Sequence, residues 1–125
     1  MSIDDGSDIR MLHLEPEGHL ISTPDDASDL VGSAWSHHAN LIVLPVSRLD
    51  PEFFRLSTGI AGEIVQKLVN YRLRLAVVGD ITDHLAESNA LRDFVWESNR
   101  GDQIWFVDDE AALREKLAKR GGGRA

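Results

Sequence analysis

Two hydrophobic rhythms alternate along the chain. Leu41-Ile42-Val43-Leu44 is an unbroken apolar run, Arg72 to Val78 carries Leu73, Leu75, Ala76, Val77 and Val78, and Gln103 to Val107 carries a third apolar stretch. Short continuous runs of this kind fit strands covered on both faces. Between them, apolar residues recur every three or four positions. Ala27, Leu30, Val31, Ala34 and Trp35 form one such stripe, and Ile60, Ala61, Ile64, Val65, Leu68 and Val69 form a second. Each stripe predicts a helix with one buried face. Thr23 followed by Pro24, Asp25 and Asp26 predicts the N-terminus of the first helix, because a hydroxyl takes an orphan N–H and acids suit the positive helix end. The second helix is expected over 57–71, after a short helical turn carrying Phe53 and Phe54. Ser88 predicts the cap of a helix over 89–98, closed by Gly101 in the left-handed conformation, and Asp108 predicts the cap of a last helix through Leu113 and Leu117.

Upstream, residues 9–14 read as a strand, 15–18 as a turn and 19–22 as a returning strand, which predicts a hairpin. The whole is an α/β pattern: an N-terminal hairpin, then a mostly parallel mixed sheet of four or five strands with helices packed on it. At 125 residues the chain has the length of one domain, expected over 1–119 with a frayed tail over 120–125.

Charge and composition narrow the function. Thirteen basic against twenty-one acidic residues leave a net charge of −8, which opposes binding to a phosphate backbone, so nucleic acid is excluded as a general partner. With no cysteine there is no disulfide framework and no thiolate chemistry. The start of the sequence lacks a signal-peptide pattern and no apolar run is long enough to span a membrane, so a cytoplasmic address and no membrane contact are expected. The five histidines fall at no metal-ligand spacing, and neither a cofactor nor a metal is expected.

The segments Phe53-Phe54-Arg55-Leu56-Ser57-Thr58-Gly59-Ile60-Ala61-Gly62-Glu63, Gln66-Lys67, Asn70-Tyr71, Val78-Gly79-Asp80, Glu97-Ser98-Asn99-Arg100-Gly101 and Phe106-Val107 resemble a bacterial family catalogued as domain of unknown function 4180. The likeness covers roughly residues 41–117. A second likeness concerns element order. A strand, Ser57-Thr58-Gly59 opening a helix, then strand, helix and strand, is similar to the STAS fold of anti-sigma factor antagonists. That resemblance implies a phosphorylated switch at Thr58, with Leu56 standing where the family signature has Asp.

Four groups of residues are candidates for binding. Ser57 and Thr58 stand at a helix start, where an added phosphate meets free N–H groups; the plain alternative is an N-cap. Glu63, Gln66, Lys67 and Asn70, at offsets of three and four, share the wet side of the central helix, with Glu63 and Lys67 placed for an i,i+4 ion pair. Asp80 follows a parallel strand, at the end where α/β sheets take ligands, or simply starts a turn. Glu97, Asn99 and Arg100 offer a carboxylate, an amide and a guanidinium, or else a helix stop.

Two functions remain open. One is a non-enzymatic regulatory or protein-interaction module using the central helix. The other is a ligand-binding protein or enzyme in which Glu63, Lys67, Asp80, Glu97 and Arg100 converge on one pocket. A homodimer through the hairpin edge is a third geometric expectation.

Overall fold

The three apolar runs form strands, and a fourth precedes them. In the computed structural model, which describes residues 9–122 with side chains to 119, β1 (Met11–His13), β2 (Leu41–Pro45), β3 (Arg74–Val78) and β4 (Ile104–Val107) make one sheet in the order β1-β2-β3-β4. Every neighbouring pair is parallel, with Leu41 opposite Met11, Ile42 opposite Leu75 and Val77 opposite Phe106. The sheet is therefore wholly parallel, not mixed, and has four strands.

The expected hairpin does not form. Leu12 and Leu14 pack into the core from a strand that runs alongside β2, and Ile21 makes an isolated parallel bridge with Leu49. The chain between them is held by side chains instead of a ladder. Arg48 donates through Nε to the His19 carbonyl at 2.7 Å and through Nη1 to that of Glu15 at 3.0 Å, while Ser47 Oγ donates to the Pro16 carbonyl at 2.7 Å. Dimerisation through a hairpin edge loses its basis with the hairpin.

Strands in chain order joined by right-handed crossovers place all their connecting helices on one face. On that face lie α1 (Pro24–Ser36), α2 (Ile60–Asn70), α3 (Thr82–Glu87) and α4 (Asn89–Arg100), closing a core of Ile42, Leu44, Leu75, Val77, Ile104 and Phe106 with Leu30, Ile64, Leu68 and Leu91. The other face carries Leu41, Val43, Ala76 and Trp105, covered by Leu113 and Leu117 of α5 (Glu110–Gly122). The tail expected over 120–125 lies outside the residues whose side chains are described.

Helix ends follow sequence chemistry in part. Thr23 caps α1 in a capping box: its hydroxyl accepts from the Asp26 N–H, and the Asp26 carboxylate takes the Thr23 N–H at 3.0 Å and the Ser22 N–H at 2.7 Å. These backbone donors hold the Asp26 carboxyl below its ordinary pKa, Ser22 most, with a smaller contribution from His19 at 3.3 Å. Ser88 caps α4 as expected. Asp109, not Asp108, caps α5, its Oδ1 taking the Ala112 N–H at 2.8 Å. Trp35 does not belong to the buried stripe; it is 67% exposed, one position beyond Ala34, which is fully covered. Gly101 is extended, with φ −96° and ψ −163°, so it does not close α4 in the left-handed way. The left-handed closures fall on His38 and Arg72. There Ala39 N–H reaches Ala34 O, and Leu73 N–H reaches Leu68 O, the six-to-one bonds of a Schellman ending.

Candidate functional site

α2 begins later than its apolar period suggests. Leu56–Thr58 forms a single 3₁₀ turn, Gly59 turns left-handed at φ +79°, and the α-helix starts at Ile60. The tighter turn brings the buried Phe53 and Phe54 against the sheet before the helix sets off. Ala61, Ile64 and Leu68 then face inward, which leaves Glu63, Gln66 and Asn70 facing out.

These outward residues line a groove. It holds about 960 Å³ and opens to solvent, and its lining is Gly59, Gly62, Glu63, Gln66, Lys67, Asn70 and Tyr71 of the α2 segment with Pro24 from the start of α1. Four sequence candidates, Glu63, Gln66, Lys67 and Asn70, thus meet in one place. Gln66 Nε2 donates to Asn70 Oδ1 at 2.9 Å. The expected ion pair between Glu63 and Lys67 is absent among the described residues, whose ion pairs include His13 with Glu110, His19 with Asp26, and Arg55 with Glu52. An exposed i,i+4 pair is worth a few tenths of a kcal/mol, too little to hold two long side chains together against solvent.

Ser57 and Thr58 are exposed just upstream of the groove. Thr58 Oγ1 donates to the Arg55 carbonyl at 2.8 Å, with a longer contact to that of Glu52, and accepts the Ile60 N–H at 3.2 Å. Its hydroxyl performs the satisfying role of a cap, one residue before the N-cap position that Gly59 holds.

Asp80 and the end of α4 lie elsewhere. Asp80 follows β3, while Arg100 precedes β4, so the two stand at opposite ends of parallel strands, about 17 Å apart along a five-residue strand. The pocket that would gather Glu63, Lys67, Asp80, Glu97 and Arg100 is therefore not built. Asp80 Oδ1 accepts from the Thr82 hydroxyl at 2.5 Å and the Thr82 N–H at 2.9 Å, and those bonds hold its carboxyl below the ordinary value. It opens α3, a helix that the sequence pattern did not announce. Gly79, at φ +143°, lets the chain leave β3 against Val46: a Cβ there would stand 2.7 Å from Val46 Cγ2.

Asn99 serves the sheet. Its Oδ1 accepts the Phe106 N–H at 2.7 Å and its Nδ2 donates to the Phe106 carbonyl at 3.2 Å, so one amide pairs with both outward groups at the middle of the β4 edge. Lys116 Nζ holds the Asn99 carbonyl at 2.8 Å. Arg100 stacks over Trp96, its Cζ 4.5 Å from the ring centroid, and Glu97 is exposed. No helix among the described residues is long and apolar enough to cross a membrane, and no three carboxylates or imidazoles among them gather as a metal requires.

A family model described as Domain of unknown function (DUF4180) matches residues 6–117. The chain belongs to the DUF4180 family. No curated protein and no solved structure matches it. In this DUF4180 chain the segments that carried the resemblance divide by role: Gly59, Gly62, Glu63, Gln66, Lys67, Asn70 and Tyr71 line the groove, whereas Asn99 and Phe106 close an edge. Sequence reasoning missed Pro24 and Tyr71 as groove residues. Pro24 read only as a helix-start residue, and Tyr71 as a helix end within a family motif, although an aromatic that falls off the apolar stripe is itself a signal.

Proposed function

We propose that this chain is a cytoplasmic, non-enzymatic protein-interaction module that receives a partner protein in the groove along α2. One observation carries the reading: the polar side chains on the outer face of α2 are those the fold leaves over, and they line a single open groove. A small ligand wants most of its surface enclosed, among apolar walls with a few convergent polar groups. An open groove walled by an acid, a base, two amides and a tyrosine suits a macromolecular surface better. The STAS-like reading is kept for element order alone, from β2 to α5; the wholly parallel start departs from it. Within this reading Thr58 is the regulatory position, because a phosphate there adds a charge of about −2 beside Gly59 and ends the hydroxyl's donation to Arg55.

A photo-crosslinking residue placed at Gln66, with Glu115 on α5 as the control position, tests the proposal in cells. A discrete protein adduct at Gln66 and none at Glu115 is the expected result, and the adduct should weaken with Thr58→Glu. Equal labelling at both positions, or native mass spectrometry showing a retained small molecule in place of an adduct, overturns it.

A further inference from the structure

The groove has an internal symmetry. Glu63 and Lys67 stand two residues either side of Val65, and Gly59 and Tyr71 stand six residues either side of it. Both pairs belong to the groove lining. Glu63 and Lys67 fall on the same flank of the helix, 40° apart on a wheel of 100° per residue. A two-fold axis through the level of Val65 would lay a second α2 antiparallel on the first. It sets Glu63 against the other copy's Lys67 twice, each contact about 3 Å along the helix from the axis. Gly59 and Tyr71 cap the two ends of the helix and stand 120° apart on the same wheel, so it is the charged pair that faces its counterpart.

We propose that the partner this groove fits is a second copy of the chain, its α2 packed antiparallel about an axis at Val65. The inference rests on the interaction reading above and names the occupant. Its support is self-complementarity: charge meets opposite charge, with the same surface used on both sides. The electrostatics of the whole molecule agree. Two copies of a chain carrying −8 repel one another, and a face lined by one acid and one base is locally neutral, so it is where that repulsion is weakest. An eleven-residue helix buries less than a standard interface, so the dimer is transient.

Sedimentation equilibrium of the full chain, up to about 1 mM, reads the association directly. The wild type should dimerise in the upper part of that range. Glu63→Lys and Lys67→Glu each place like charges opposite and should weaken the dimer at least ~10-fold, while the double reversal restores it. The chain has no cysteine, so Gln66→Cys supplies a single thiol close to the axis. It should form a disulfide-linked dimer at least ~10-fold faster than Glu115→Cys, through the raised effective concentration. A monomer at every concentration, or a dimer indifferent to the single reversals, overturns self-pairing. If the monomer still crosslinks to a different protein at Gln66, self-pairing falls while the groove reading stands.

Discussion

The outer face of α2 and the end of α4 are both runs of polar residues on helices, and in the sequence they look equally like binding sites. In the fold they differ. Asn99 spends both halves of its amide on the Phe106 backbone, its carbonyl takes Lys116, and Arg100 lies on Trp96. On α2, among the described residues, the Gln66 and Asn70 side chains bond to each other, and Glu63 and Lys67 form no ion pair. A polar residue in a specific motif is thus explained either by the backbone it satisfies or by a surface it presents. Hydrogen-bond accounting separates the two.

Substitutions sharpen this contrast, beginning with the largest effect. Asn99→Ala strips the β4 edge of both partners and leaves Phe106 N–H and C=O unpaired, so denaturant unfolding should show a loss of about 2–3 kcal/mol, with added aggregation from the bare edge. Asn99→Asp keeps the acceptor and loses the donor, and should fall between.

Asp26→Ala should cost about 1 kcal/mol by removing the capping box of α1. Because the folded pKa of Asp26 is lowered, its contribution is complete above the unfolded carboxylate pKa and is lost as pH falls through the lower folded one. Asp26→Asn should flatten that part of the stability profile in acid titrations.

Arg100→Ala should cost about 0.5 kcal/mol, the value of an exposed cation–π contact, and should change Trp96 fluorescence. Glu63→Gln with Lys67→Gln should move stability by less than about 0.5 kcal/mol in thermal melts, since neither side chain is used by the fold. A larger loss there would erase the contrast between the two regions.

The core strands and the inward faces of α1 and α2 were legible because burial on both sides of a strand, or on one side of a helix, writes itself directly into periodicity. The groove was half legible. Glu63, Gln66, Lys67 and Asn70 stand off the apolar stripe by their spacing, but Pro24 joins them only through the packing of α1 on α2. What failed did so for local reasons. The turn residues at 15–18 read as a hairpin, yet the carbonyls of Glu15 and Pro16 are claimed by Arg48 and Ser47 from more than thirty positions on, contacts no local pattern reveals. Helix stops were sought at glycine, whereas His38 and Arg72 adopt the left-handed turn because Ala39 and Leu73 must return to the core. Asn99 read as a stop signal because nothing in its neighbourhood announces that β4 is an edge.

Strand order repeats chain order in this sheet, so no strand has to be inserted between two that are already joined. As the polypeptide leaves the ribosome, each new strand meets a finished neighbour and adds to one growing side, until Asn99 shuts that side and α5 seals the back. Assembly of this kind is vectorial. Nascent chains arrested at increasing lengths should gain protease resistance in steps, at β3 and again at β4; a single jump after α5 would show that the sheet waits for the whole molecule.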